Sequence, residues 1–152
     1  MSATTWRTNQ PKEAMQMAIP FPSDEWIKEL CGILNGNKAY QDAAAKWEGD
    51  LIFVIEAGAG VAREHYLYMD LWHGQCRGAR ELGAGEEVAS EFMISAPLPT
   101  WKRVIGGQLD PIRALTGRQL KLKGNMLKIM KTPKAAIELV NCSKTIDTQW
   151  PA

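Results

Sequence analysis

Apolar positions along this chain recur at two spacings, and each change of spacing marks a new element. Behind Ser23-Asp24-Glu25, which sets a capping hydroxyl and two carboxylates at the positive end of a helix, Trp26, Ile27, Leu30, Ile33 and Leu34 form an apolar stripe that Asn35-Gly36 ends. A second helix, about 38–47, presents Tyr40, Ala44 and Trp47 on one side before Glu48-Gly49-Asp50 breaks it. The spacing then shortens. LIFVIEA at 51–57 is a continuous run of β-forming residues and predicts a strand buried on both faces, near the middle of a sheet. After the loop AGAGVARE, a strand over 65–72 alternates Leu67, Met69 and Leu71 with Tyr66, Tyr68, Asp70 and Trp72. His73-Gly74 turns the chain into a strand over 75–82, where Arg77, Arg80 and Glu81 suit a charged edge. Beyond the glycine-rich LGAGEE, a strand over 90–96 sets Phe92 and Ile94 against Glu91, Met93 and Ser95. Pro97 and Pro99 stop it, and Thr100 caps a helix carrying Trp101, Val104 and Ile105 to Gly106-Gly107.

The densest patterning lies at 109–131, LDPIRALTGRQLKLKGNMLKIMK. Asp110 can accept from the free amides of a first helical turn, Pro111 has a φ already suited to that turn, and Gly117 is placed to end the helix in the left-handed region. Strict alternation over 118–124 puts Leu120 and Leu122 on one side and Lys121 and Lys123 on the other, a strand with one wet face. Asn125 then caps a helix whose Met126, Met130, Ile137 and Val140 share a side, with Pro133 expected to kink or split it. The first three strands read as an antiparallel meander, and the passage from the fourth strand to the fifth is long enough for a parallel crossover. The class is α+β: a five-stranded mixed, mostly antiparallel sheet covered on one face by helices.

Composition narrows what such a layer can do. A chain of 152 residues is one domain, read as an N-terminal arm over 1–22 and a folded unit over 23–152; Trp6, Met15, Met17 and Phe21 of the arm are expected to dock locally. A net charge of +1 lacks the basic excess that nucleic acid demands. Cys31, Cys76 and Cys142 have none of the spacings of metal knuckles or redox pairs and read as thiols in a reducing compartment. No apolar segment reaches the roughly 20 residues of a membrane span, so a cytoplasmic location is expected. Gly58 and Gly60 lack the third glycine and the helix of a dinucleotide fingerprint, His65 and His73 read as strand-end residues, Asp70 as a solvated carboxylate and Asp110 as a cap. No nucleophile, base and oxyanion hole assemble, so no enzyme, metal or cofactor is expected.

What stands out is apolar surface. Met69, Met93, Met126 and Met130, with Trp26, Trp101 and Phe92, are placed on the inner side of sheet and helices, where an ordinary core and a ligand cavity both remain open. Phe53, Ile55, Tyr66, Tyr68 and Trp72 fall on the outer face, a patch expected to be covered by a symmetric homodimer or by the arm.

From Trp26 to Val140 the chain resembles the lipid-binding domain of type-2 sterol carrier proteins. The most specific likeness is 109–131, with its helix start, Gly, Leu/Lys strand, Gly-Asn-Met and Met-containing helix; Gly49-Asp50 before an apolar strand and the Asp70 to Gly74 strand end support it. The resemblance implies an apolar tunnel between sheet and helices that binds a sterol, fatty acid, acyl-CoA or phospholipid, and carriage without catalysis. Its lipid-facing positions would be Ile52, Val54, Leu67, Met69, Phe92, Ile94, Trp101, Leu115, Leu120, Leu122, Met126, Met130 and Ile137. Implied partners are an apolar lipid, a transiently contacted membrane and a second copy of the chain through the outer sheet face. The alternative is a protein-interaction or dimerisation module of a lipid-metabolising system. Two departures stand: the sequence ends Gln149-Trp150-Pro151-Ala152, without the peroxisomal Ser-Lys-Leu of many relatives, and Pro133 interrupts the closing helix.

Overall fold

The computed structural model describes residues 18–151, so Trp6, Met15 and Met17 lie outside the described residues. A two-residue strand β1 (Ile19–Pro20) pairs in parallel with the last strand of the chain. Helix α1 (Asp24–Asn35) starts where the Ser23 hydroxyl accepts from the Trp26 amide at 3.0 Å, and it buries Trp26, Ile27, Leu30 and Leu34. Helix α2 (Lys38–Ala43) is shorter than its pattern predicts, although Tyr40, Ala44 and Trp47 are all buried. Strand β2 (Glu48–Glu56) starts three residues before the expected 51, at the Glu48-Gly49-Asp50 that breaks the helix, because its backbone there pairs with Trp72, Leu71 and Asp70 of β3 (His65–Trp72).

Strands β4 (Gln75–Glu81), β5 (Phe92–Pro97) and β6 (Lys121–Lys123) complete the five-stranded sheet in the order β4-β3-β2-β5-β6. The meander β2-β3-β4 is antiparallel as the alternation suggested. The parallel pair is β2 with β5, whereas β5 and β6 run antiparallel despite the two helices between them, so the crossover expected before the fifth strand belongs earlier in the chain. Between β5 and β6 come α3 (Leu98–Ile105), which begins two residues before Thr100 with Pro99 in its first turn, and α4 (Pro111–Thr116), capped by the Asp110 carboxylate at 2.8 and 3.1 Å. The left-handed step after α4 is taken by Arg118 (φ 64), not by Gly117 (φ −84); it returns the Gln119 and Leu120 amides to the Ala114 carbonyl.

The methionine segment is two helices. Helix α5 (Met126–Met130), capped by Asn125, stops at Lys131, and α6 (Pro133–Ser143) restarts with Pro133 at its first position, before β7 (Thr148–Gln149) meets β1. The single stripe expected through Met126, Met130, Ile137 and Val140 is therefore broken. Gly124 (φ 134) permits the turn into α5, and a Cβ there would fall 2.5 Å from the Phe92 ring.

Register settles the faces of the sheet. Leu51 lies opposite Met69 and Phe53 opposite Leu67, while Ile52 faces Tyr68 and Val54 faces Tyr66; residues directly opposite in an antiparallel pair share a side. Leu51, Phe53 and Ile55 thus join the main core under the helices, and Ile52 and Val54 point away from it, the reverse of the sequence expectation. Ile52, Val54 and Leu82 form a second cluster with Tyr66, Tyr68, Val88 and Met93, which puts Met93 too on the outer side. Cover for this cluster comes from the chain itself. Strand β4 is an edge and β5 lies beyond β2, so residues 82–91 cross the outer face and lay Leu82 and Val88 on it. Trp72 is 37% exposed beneath the Arg77 guanidinium.

Cys31 on α1 and Cys76 on β4 form a disulfide, correcting the expectation of idle thiols; packing of α1 on β4 joins residues 45 apart in sequence. Cys142 is a buried free thiol.

Candidate ligand cavity

Between the inner sheet face and the helices lies a cavity of about 110 Å³. Its floor is Leu51 and Phe53 of β2, Leu67 and Leu71 of β3 and Ile94 of β5, the residues that the observed register turns inward. Its roof comes from every helix: Trp26 and Leu30 of α1, Tyr40 of α2, Trp101, Val104 and Ile105 of α3, Pro111 and Leu115 of α4, Ile129 of α5, and Ala135, Ala136, Leu139, Val140 and Ser143 of α6. Phe21, Trp47, Leu120 and Thr132 fill the gaps between elements.

The wall is almost entirely hydrocarbon because its indole and serine groups turn back into the protein. The indole N–H of Trp26 donates to Thr148 Oγ1 at 2.9 Å, that of Trp47 to the Gly49 carbonyl at 3.0 Å, and that of Trp101 to the Val54 carbonyl at 3.0 Å. The Ser143 hydroxyl donates to the Val140 carbonyl at 2.7 Å. Burial, with a smaller effect of Cys142 nearby, pushes the Tyr40 phenol well above its usual range and keeps it neutral. Thr132 Oγ1 is buried without a partner. No carboxylate, imidazole, amine or thiol stands in this wall. What it offers a ligand is removal of apolar surface from water, held in shape by ring contacts such as Phe53 edge-on to Trp101 at 5.5 Å.

Of the residues singled out from sequence, Leu67, Ile94, Trp101, Leu115 and Leu120 line the cavity. Met69 and Phe92 are fully buried in the surrounding core without reaching it, and Leu122, Met126 and Met130 are half-buried against that core. Ile137 lies off the wall, because the break at Pro133 makes Ala136, Leu139 and Val140 the inward positions of α6. Ile52 and Val54 belong to the outer cluster. Sequence reasoning missed Leu51 and Phe53, whose side is set only by pairing with β3, and Ile129, hidden between two more conspicuous methionines.

The other candidates serve elsewhere. His65 Nδ1 meets Glu81 at 2.6 Å and His73 Nε2 meets Glu48 at 2.6 Å, both at strand ends. Asp70 accepts two bonds from Arg77 at 3.1 and 3.2 Å. Gly58 and Val61 exchange backbone bonds across a tight loop. Among the described residues no three metal-ligating side chains gather.

Comparison with known proteins extends over most of the chain. The model of the SCP-2 sterol transfer family matches residues 27–136. A crystal structure of sterol carrier protein 2 is similar at 35% identity, with a TM-score of 0.75, over 82% of this chain and 97% of that one. The solution structure of a conserved hypothetical protein from Thermus thermophilus, possibly a sterol carrier protein, is similar at 34% identity and a TM-score of 0.75, over 82% of this chain and 88% of that one. Palmitated SCP2L2 from Aedes aegypti shares the fold at 14% identity and a TM-score of 0.50, over 84% of this chain and 99% of that one. No curated protein sequence matches this one.

Proposed function

The chain belongs to the SCP-2 sterol transfer family, and on that footing we propose that it carries a lipid in the inner cavity without transforming it. Binding and transfer of lipids is the activity the family implies in general. The finer reading, non-catalytic carriage of one amphiphile per chain, is supported by a single observation: the interior keeps a cavity whose wall is almost entirely hydrocarbon. Each CH₂ moved from water into such a wall contributes about 0.8 kcal/mol, so even a partly enclosed acyl chain offsets the cost of association.

At about 110 Å³ the cavity is comparable to the ~150 Å³ apolar cavities that take up benzene, so a long chain must widen it. Helix α5, with half-buried Met126 and Met130 on flexible side chains, is the segment able to yield. That a palmitated protein shares the fold agrees with an acyl chain as cargo.

Transient contact with a membrane belongs to the same proposal. Leu127 is 71% exposed on α5, whose Ile129 lines the cavity, and Lys123, Lys131 and Lys134 stand exposed around it in the chain. No helix of the described residues is long and apolar enough to cross a membrane. We keep the cytoplasm as the proposed compartment; in its reducing conditions Cys31 and Cys76, which the packing of α1 on β4 holds within bonding reach, would stand as thiols that oxidation can join. A homodimer through the outer face has less to recommend it, since residues 82–91 cover that surface.

Delipidated protein should bind one fluorescent fatty acid per chain and deliver it to vesicles. Delivery to phosphatidylserine-containing vesicles should slow about fivefold in Lys131→Gln, the effect of one lysine at an anionic surface, and further in Leu127→Ser. Absence of saturable probe binding would remove the carrier reading and leave the interaction module, acting through exposed Trp72 or Leu127.

A further inference from the structure

Two sulfurs that the sequence keeps 45 residues apart meet where a roof helix of the cavity lies on the edge of the sheet. Helix α1 packs chiefly on β4, and the Cα atoms of Cys31 and Cys76 are 5.4 Å apart. Their meeting does not depend on the bond between them. At the start of α1 the Asp24 carboxylate accepts from the Glu81 amide of β4 at 2.9 Å. At its end the Asn35 side chain accepts from the Cys76 amide at 2.7 Å and donates to the Cys76 carbonyl at 2.9 Å. Hydrogen bonds thus hold α1 along β4 at both ends, with Cys31 between. The register of β3 and β4 supplies the other half: Leu71 lies opposite Cys76 but Asp70 opposite Gly78, so Arg77 is an extra residue. That bulge turns Cys76 to the side of Leu71, beneath the helices, and leaves Arg77 to bond Asp70 on the outer side.

A pair placed in this way can stand joined or separate without refolding. Each sulfur lies 3.5 Å from a carbonyl oxygen, Cys31 Sγ from that of Cys76 and Cys76 Sγ from that of Gly78, so two thiols would find acceptors where they are. Access is unequal. Cys31 is half-buried and Cys76 buried, which makes Cys31 the sulfur an oxidant meets and Cys76 the one that resolves. The consequence reaches the cavity through α1, because Leu30, beside Cys31, and Trp26, one turn earlier, are roof residues. Helix α5 yields elsewhere, where Lys128 ties it to the Glu48 carbonyl and the Glu91 carboxylate at the beginnings of β2 and β5. As the α1 side of the roof lifts, hydrogen bonds to β4 can be traded for bonds to water, whereas a covalent bond cannot.

Resting on the carrier reading, we propose that Cys31 and Cys76 are a redox modification site, at which a peroxide joins α1 to β4 and so restricts entry of any guest that must widen the cavity. With hydrogen peroxide, the Cys31 thiolate attacks one oxygen, the O–O bond breaks, and the departing oxygen takes a proton and leaves as water. The Cys76 sulfur then displaces the hydroxyl of the Cys31 sulfenic acid, forming the S–S bond and releasing a second water. Two thiols are oxidised by two electrons and one peroxide is reduced; a dithiol reverses the change by exchange.

The full chain, delipidated and reduced, is treated with one equivalent of hydrogen peroxide. Thiols counted in denaturant should fall from three to one, Cys142 remaining, and a dithiol should restore them. Uptake of an uncharged long-chain fluorescent dye should be about tenfold slower after oxidation, an ordinary size for coupling between two sites. Binding of benzene, which needs little widening, should be the same in both states. Cys31→Ser and Cys76→Ser should keep the dye rate of reduced wild type before and after peroxide. Equal dye uptake by oxidised and reduced wild type overturns the proposal and leaves the bond a structural staple, as does a reduced protein that no longer folds. A slowing that survives in Cys31→Ser, or that a dithiol does not reverse, also overturns it and places the oxidation on methionine. A thiol count that stays at three, or a disulfide formed between chains, overturns the modification site itself. Failure of the dye to bind either form strikes the carrier reading instead, and the thiol count then decides the site alone.

Discussion

The two faces of β2 carry side chains of the same kind and have been finished in opposite ways. Outward, Ile52 and Val54 are 2% and 4% exposed, covered by Leu82 and Val88 of the crossing loop and flanked by Tyr66, Tyr68 and Met93. Polar bonds pin that cover. Asp50 accepts from the Tyr68 hydroxyl at 2.8 Å and from the Glu91 amide at 2.7 Å, and burial with the Asp50 bond pushes the Tyr68 phenol up to about 12. Arg80 grips Glu86 through two bonds at 3.1 and 2.5 Å. Inward, Leu51 and Phe53 meet large rings and short helices that leave a hole. A run of apolar residues therefore says only that both sides are dry; whether a side is solid or hollow depends on what is laid over it.

Adding volume should break this symmetry most strongly. Val54→Phe forces a ring into the closed outer cluster and should cost about 1–3 kcal/mol without changing lipid-probe affinity. Ala136→Phe points its ring into the cavity and should leave the melting temperature near wild type, or raise it, while weakening probe binding more than tenfold, provided that the space is a site. Thermal melts and probe titrations on the two variants decide the matter. Equal losses of stability would mean that the inner face is as solid as the outer.

A smaller effect should follow from lifting the cover. Val88→Asp places a carboxylate in the loop over Ile52 and Val54 and should destabilise by roughly 1 kcal/mol. The uncovered apolar patch should then bind a hydrophobic dye and drive self-association seen by light scattering. If Val88→Asp stays monomeric and dye-silent, the loop is not what closes that face.

How far the fold could be read in advance follows the same division. Helix α1 was legible because its cap, its acidic first turn and its stripe are local, and β6 because Lys121 and Lys123 mark the wet side and are exposed. LIFVIEA was legible as a central strand but not in phase, since every second residue is apolar on either side and only the Leu51–Met69 and Phe53–Leu67 pairings orient it. Pro133 announced a break, but the register of a helix restarted after a proline is set by packing, which is why Ile137 was chosen where Ala136 and Leu139 line the cavity. The β2–β5 pairing and the Cys31–Cys76 bond join segments distant in sequence and leave no local trace.

The smallest expected effect separates the faces by acid. Glu86 ties the outer loop back to β4: Arg80, and then the Gly83 amide at 2.8 Å, hold its carboxyl down at about 2, against an ordinary 4.5. A carboxyl depressed in the fold lends stability that is fully present above the unfolded value and is lost as pH falls through the folded one, here between about 4.5 and 2. Asp24 is lowered likewise, by Lys28 first and by the Glu81 amide it accepts, so α1 and β4 loosen in the same direction. The inner wall contains no group that titrates in this range. Wild type should thus melt above Glu86→Gln at pH 6, and the gap should close as the pH approaches 2. Because the pair is exposed the gap is modest, and it should shrink further in high salt. Binding of an uncharged dye to the cavity, followed over the same range at a temperature where both proteins stay folded, should not depend on Glu86. A gap that persists to the lowest pH would place the contribution of Glu86 in its shape instead of its charge, and acid-sensitive dye binding that disappears in Glu86→Gln would show that the two faces are coupled through β2 after all.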